Sequence, residues 1–366
     1  MRIAAYVHTH TATRDGTGVA KHIVQMVGGL AATPGVDLRL MASRSELASN
    51  GRIGEDSPLS RLPAVGLPLG RRTREWLWNL TGGPCADRWT DADWVYTPVE
   101  IYVPVRRARL AATMHSLMWF DPRLDAYHSW RYRRFRAKWR FVVGPIVRHA
   151  HRILCVSDYL ADQYARVFGA DRRKLFTVGN GVEEEYFAPV EGDPPVAPPY
   201  VASISGLTYI KGADHLLDVA AALTHVALDV RVVVGGFEEP RYRERARSMP
   251  NVVVLGFQKA DVIRRLLAHS LALLCLSRYD SFGIPIAEAM AVGKPVLYAP
   301  NAGLPEVAGD VGLRVDPTRP DRIAARLAEL AKDDAARAQL GAAGRERAAK
   351  RFRWDNCVAR LVTALS

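Results

Sequence analysis

Tyr279-Asp280-Ser281-Phe282-Gly283-Ile284-Pro285-Ile286-Ala287-Glu288-Ala289-Met290-Ala291-Val292-Gly293-Lys294-Pro295 lies between two apolar, β-prone runs, Leu271 to Leu276 before it and Val296 to Ala299 after it. Pro285 suits the first turn of a helix, Gly293 can end that helix in the left-handed conformation, and Pro295 stops it before the next strand. The spacing predicts strand, loop, short helix, strand, which is one unit of a parallel α/β sheet. The pattern extends in both directions. Tyr200 to Ile204, Val230 to Val234 and Val252 to Leu255 read as earlier strands, with a helix over Ala213 to Leu223. The tail from Pro320 to Leu365 is rich in Ala, Arg and Leu and reads as helical, interrupted at Gly341 and Gly344.

A second series precedes this one. Ile3 to Val7 is a strand candidate, a loop with Gly16 and Gly18 follows, and Val19, Ile23, Val27 and Leu30 recur at helical spacing. Leu38 to Met41, Trp94 to Thr97, Leu110 to Met114 and Ile153 to Val156 read as further strands. Between the two series runs Glu191-Gly-Asp-Pro-Pro-Val-Ala-Pro-Pro-Tyr200, which can continue neither a helix nor a central strand because proline lacks the N–H and fixes φ. The chain of 366 residues exceeds what one core serves, and the reading is two Rossmann-like α/β domains, 1–190 and 191–350, with a terminal helix over 351–366.

Bulk properties exclude several classes. Apolar residues make up 49% and charged residues 24%, the balance of a folded globular chain. The start turns polar within ten residues, and no apolar run approaches the roughly 20 residues of a membrane-spanning helix, so a cytoplasmic protein is expected. Cys85, Cys155, Cys275 and Cys357 are scattered without a Cys-x-x-Cys pair, which predicts neither a zinc site nor a disulfide framework. Net charge is +12, of which residues 1–190 carry +9. Such a field favours anionic partners without choosing among nucleotides, lipid surfaces, phosphorylated acceptors and nucleic acid.

In open α/β sheets, ligands bind beyond the carboxyl ends of the strands, which is where residues 279 to 283 fall. The first turn of the following helix presents free N–H groups and a partial positive charge suited to phosphate or sugar hydroxyls, and Gly283 lets a ligand approach the backbone. Asp280 and Glu288 add two carboxylates that can accept from paired hydroxyls. Without context, Asp280 could equally begin a turn, Glu288 favour the helix, and Phe282 and Ile284 be core.

The context is supplied by other motifs. The stretch resembles the acidic signature of the family-4 retaining glycosyltransferases, two acidic residues spaced around a Phe-Gly-x-Pro turn. Ser205-Gly206-Leu207-Thr208-Tyr209-Ile210-Lys211-Gly212 resembles that family's phosphate loop, Asn180-Gly181-Val182 its Asn-Gly-Val turn, and Leu304-Pro305-Glu306-Val307 its later loop. The resemblance implies the GT-B fold, with donor bound by the second domain, acceptor by the first, a cleft between them, and a final helix returning to the first. It further implies that Lys211 neutralises a donor diphosphate and that Glu288 holds ribose. Asp280, with the backbone around Phe282, Gly283 and Ile284, would hold the donor sugar. Gly16 and Gly18 resemble the family's first glycine loop, facing the donor phosphates, and His115 stands where the family places a histidine touching the donor sugar.

Two departures stand out. Asp280 replaces the family's usual glutamate, shortening the reach by about one carbon–carbon bond, ~1.5 Å. Gly206 stands where an arginine is common. Asp91-Ala92-Asp93 precedes its strand instead of following one, so it is not read as a metal site, and neither metal nor cofactor is expected. Arg131 to Arg140 holds six Arg or Lys among ten residues, with Tyr132, Phe135, Trp139 and Val142 at helical spacing. Such a helix can lie on an anionic membrane or be a docked helix with solvated charges; nucleic acid is not the expected partner.

The expected reaction moves a hexose from a GDP- or UDP-type sugar donor to a hydroxyl of a glycan or lipid-linked acceptor, with retained configuration. The alternatives are a nucleotide-sugar epimerase on the same architecture and a non-catalytic sugar-nucleotide-binding protein.

Overall fold

The computed structural model describes residues 1–366 apart from 10, 11, 13–17, 125–127, 227 and 228. The chain divides into two compact units, one made of Met1–Asn180 with Trp354–Ser366, the other of Gly181–Arg353.

The first unit runs β1 (Arg2–Tyr6), α1 (Gly18–Ala32), β2 (Asp37–Ser43), β3 (Ala64–Leu67), α2 (Arg71–Thr81), β4 (Trp94–Thr97), β5 (Arg109–Met114), α3 (Trp130–His149), β6 (Arg152–Cys155), α4 (Asp158–Phe168) and β7 (Leu175–Thr177). Its sheet is parallel throughout, ordered β3-β2-β1-β4-β5-β6-β7. The central strands are covered on both faces, which is why Ile3, Ala4, Ala5 and Tyr6 are all buried and β1 reads as a continuous apolar run. β3, β7 and α2 carried no clear periodic signal; short strands and an arginine-rich helix offer little pattern to read.

The second unit runs β8 (Tyr200–Ser203), α5 (Ala213–Leu223), β9 (Arg231–Gly235), α6 (Pro240–Arg247), β10 (Val252–Gly256), α7 (Ala260–His269), β11 (Leu273–Cys275), α8 (Ile284–Val292), β12 (Val296–Tyr298), α9 (Leu304–Ala308), β13 (Leu313–Arg314), α10 (Pro320–Lys332) and α11 (Asp334–Arg351). Its parallel sheet is ordered β10-β9-β8-β11-β12-β13. The last helix, α12 (Trp354–Leu365), belongs to the first unit, where Cys357, Leu361 and Leu365 join the core beside Ile23, Met26 and Leu30 of α1.

The division between units falls at Asn180/Gly181, ahead of the proline-rich stretch at Glu191 to Tyr200. The intervening residues pack with the second unit: Val182 pairs with Arg353, and Tyr186 and Phe187 are buried. Gly341 and Gly344 do not interrupt the tail. α11 runs through both, because a Cβ at Gly341 would collide with the Gly293 carbonyl and one at Gly344 would press on Met290. The glycines let α11 lie close against α8, and the helix breaks fall instead at Asp333 and Phe352.

Candidate donor site

Two loops meet beyond the carboxyl ends of β8 and β11. The backbone N–H of Arg278 donates to the Ile210 carbonyl at 2.8 Å, and the Arg278 guanidinium reaches the Tyr209 carbonyl at 2.9 Å. The same guanidinium grips Asp214, in the first turn of α5, through contacts of 2.6 and 2.5 Å. Burial opposes the charge on Asp214, but Arg278 outweighs it and brings the carboxyl down to about 2. This clamp fixes the two loops to each other.

Within that frame Lys211 and Asp280 come together. Lys211 Nζ lies 2.6 Å from Asp280 Oδ2, and the side chains are 30% and 16% exposed. Burial works against the ammonium, yet the Asp280 carboxylate overrides it and holds Lys211 above its ordinary range. The pair is thus partly open to solvent.

Asp280 leads into α8. Gly283 caps the helix at φ 100°, and no side chain caps its first turn. A Cβ at Gly283 would lie 2.6 Å from Leu304 Cδ2, so a side chain is excluded by both conformation and space. The loop is braced from behind: Gly303 N–H donates to the Asp280 carbonyl at 2.9 Å and Asn301 Nδ2 to the Ser277 carbonyl at 3.1 Å. The Phe282 ring packs edge-on against Phe352, with centroids 5.6 Å apart, and so serves the core while its backbone turns the loop. Ile284 is the first helical residue and is half-buried.

Glu288 sits in the middle of α8 and is buried, with the Tyr186 hydroxyl hydrogen-bonded to it. Burial, reinforced by the Glu288 charge, pushes the Tyr186 hydroxyl well above its ordinary range, so it remains a donor. Tyr186 was not legible in the sequence, since it comes from the segment after the Asn-Gly-Val turn and meets Glu288 only in the folded unit. Gly206 has φ 83°, and a Cβ there would collide with the Phe237 carbonyl, so the arginine common in the family cannot occupy this backbone unchanged.

The remaining sites lie in the first unit. His115 follows β5; its Nε2–H donates to the Pro98 carbonyl at 2.8 Å, and Glu100 accepts from the backbone N–H groups of His115 and Ser116. Gly18 opens α1, while Gly16 lies outside the described residues. Asp91 and Asp93 both pair with Arg2, at 2.9 and 3.1 Å. Among the described residues no group of three or more His, Cys, Asp or Glu is arranged to hold a metal ion.

Comparison with known proteins agrees with this architecture. Residues 188–347 match the family described as "Glycosyl transferases group 1", and residues 16–186 match "Glycosyltransferase Family 4". The O-antigen chain mannosyltransferase B of Escherichia coli is 27% identical over 288 residues, covering 74% of each chain. A GDP-mannose-dependent alpha-(1-6)-phosphatidylinositol monomannoside mannosyltransferase of Mycobacterium tuberculosis is 30% identical over 238 residues, covering 57% of this chain and 60% of its own. Among solved structures, Anabaena HepE in complex with UDP-glucose superposes with a TM-score of 0.69 at 18% identity, over 100% of this chain and 99% of its own. WaaG, a glycosyltransferase involved in lipopolysaccharide biosynthesis, superposes at 0.67 and 15% identity, over 99% and 98%. The chain belongs to the family-4 glycosyltransferases, with the GT-B fold.

Proposed function

We propose that this protein is a retaining hexosyltransferase that uses a nucleoside diphosphate sugar and needs neither metal nor cofactor. The observation that carries the reading is the partly exposed Lys211–Asp280 pair at the uncapped start of α8, with the buried Glu288 carboxylate in the same helix. A diphosphate is a stronger partner for Lys211 than one carboxylate, so its arrival frees Asp280 to accept from sugar hydroxyls. Lys211 and the first-turn N–H groups then stabilise the charge that grows on the leaving phosphate. In the front-side step, the anomeric carbon–oxygen bond to phosphate breaks as the acceptor oxygen bonds on the same face. The departing phosphate takes the acceptor's proton, and the nucleoside diphosphate leaves. Glu288, oriented by Tyr186, holds ribose, and His115 touches the donor sugar.

The acceptor we propose is a glycan or lipid-linked hydroxyl at an anionic membrane on the cytoplasmic side. The first turns of α3 expose Trp130, Arg131, Arg133, Arg134, Lys138 and Arg140, while Tyr132, Arg136 and Trp139 are half-buried and Phe135 stacks on Trp119 with ring centroids 4.5 Å apart. Trp76 and Leu80 of the neighbouring α2 are also exposed. No described helix is long and apolar enough to cross a membrane.

Thermal stabilisation by UDP-, GDP-, ADP- and dTDP-sugars tests the donor reading. A ligand at ~100 times its dissociation constant adds about 2.7 kcal/mol, and one series is expected to raise Tm. The anomeric configuration of the product, read by NMR, tests retention. Stabilisation by none of the four, or an inverted product, removes the corresponding part of the proposal. Isomerisation of donor without acceptor would instead identify an epimerase.

A further inference from the structure

His22 is an unusual core residue. It lies on α1 with no exposed surface, and its Nδ1 is 2.7 Å from Oδ1 of Asn180. An amide oxygen only accepts, so Nδ1 carries the proton and Nε2 keeps a bare lone pair. Among the described residues Nε2 has no hydrogen-bond partner. A buried acceptor without a partner destabilises a fold, and an apolar side chain would avoid that cost, so packing alone does not account for an imidazole here. Burial, with His115 adding to it, keeps His22 far below its ordinary range and therefore neutral.

The surroundings indicate what the ring does. It stands perpendicular to the His115 ring with centroids 4.7 Å apart, and 5.9 Å from the Trp354 ring. Asn180 is the last residue before the chain leaves the first unit, and Trp354 is the first after it returns. One side chain thus contacts both crossing points and the histidine at the end of β5. His115 is otherwise held at its edge by the Pro98 carbonyl and at its backbone by Glu100, and its ring packs perpendicular to that of His22.

We propose that His22 is a positioning residue for His115, holding that ring in one orientation from a base anchored on Asn180. The proposal rests on the reading of His115 as the histidine that touches the donor sugar. A contact of this kind affects the sugar and not the diphosphate, so the two ligands separate the roles.

The experiment is calorimetric binding of the nucleotide sugar found by the donor screen and of its bare nucleoside diphosphate. Wild type would be compared with His22→Phe, Asn180→Ala, His115→Ala and the His22→Phe/His115→Ala double variant. His22→Phe is expected to bind the diphosphate within about twofold of wild type and the nucleotide sugar on the order of tenfold more weakly. In the double variant the His22 change should add nothing to the loss caused by His115→Ala. An unchanged nucleotide-sugar affinity in His22→Phe, or the same penalty with and without His115, overturns the proposal. Asn180→Ala leaves α1 untouched and covers the case in which His22→Phe does not fold; it should reproduce the selective loss. Imidazole 15N–1H correlation on the wild type is independent of any variant: His22 must be the Nδ1–H tautomer, and an Nε2–H tautomer removes the proposed anchor. If wild type does not distinguish nucleotide sugar from diphosphate, the assignment of His115 fails, while the tautomer still reports on the His22 anchor itself.

Discussion

At the scale of single residues, Lys211 on the loop after β8 and Asp280 and Glu288 on the loop and helix after β11 are proposed to differ in when their contacts matter. Phosphate charge grows as the glycosidic bond breaks, whereas ribose contacts are nearly the same in bound donor and transition state. Lys211→Ala is therefore expected to lower kcat by about 100-fold, the loss typical of removing one donor to a developing charge, with a smaller change in donor affinity. Glu288→Ala should weaken donor binding with kcat changed less. Steady-state kinetics with diphosphate binding as a second readout checks both, and the opposite split would reassign them. Gly206 makes a different kind of prediction. Its φ of 83° and the neighbouring Phe237 carbonyl mean that Gly206→Arg costs stability, about 2 kcal/mol or more, and does not supply a phosphate clamp. A Tm lowered by several degrees without tighter diphosphate binding is the expected result.

At the scale of elements, α5 is tied to the loop after β11 by Asp214 and Arg278. The Asp214 carboxyl is lowered from 3.8 to about 2 in the folded chain, so the protonated group belongs preferentially to the unfolded state. Its contribution is complete above about pH 4 and is lost as pH falls toward 2. Asp214→Asn should thus be less stable than wild type at pH 7, and the difference in urea midpoint should shrink below pH 4. A difference independent of pH would mean that geometry and not charge holds the loop. The other element with a testable surface is α3, whose Arg134 lies over the Trp130 ring at 5.6 Å. Replacing Arg131, Arg133 and Arg134 with Ser removes about 1 kcal/mol of attraction to an anionic surface per residue, roughly 100-fold in all. Sedimentation with anionic liposomes checks this, and binding of wild type should itself weaken with salt.

At the scale of the whole molecule, each unit carries some of the proposed residues. The proposed donor residues Lys211, Asp280 and Glu288 belong to Gly181–Arg353, and His115 to Met1–Asn180. Phosphate stabilisation in this scheme comes from a side-chain ammonium and backbone N–H groups, and Asp91 and Asp93 are engaged with Arg2. Turnover is accordingly expected to survive EDTA. Complete loss that a divalent ion restores would show that the diphosphate needs a metal as well.

The alternation of apolar runs with helical spacing determined the two parallel sheets, because strands buried on both faces must be apolar along their length. Pro285, Gly293 and Pro295 determined where α8 begins and ends, since each acts through local backbone geometry. Asp280, Glu288 and the loop carrying Lys211 were visible as local motifs, because each spans only a few adjacent residues. Tertiary structure decided what depends on distant partners. The pairing of Lys211 with Asp280, 69 positions away in the chain yet within hydrogen-bond reach, is of this kind. Gly341 and Gly344 read as breaks until α8 supplied the surface that requires them to be small. Tyr186 on Glu288, and His22 between Asn180, His115 and Trp354, carry no pattern in the sequence, because a contact between residues far apart in the chain leaves no periodicity for either one to display.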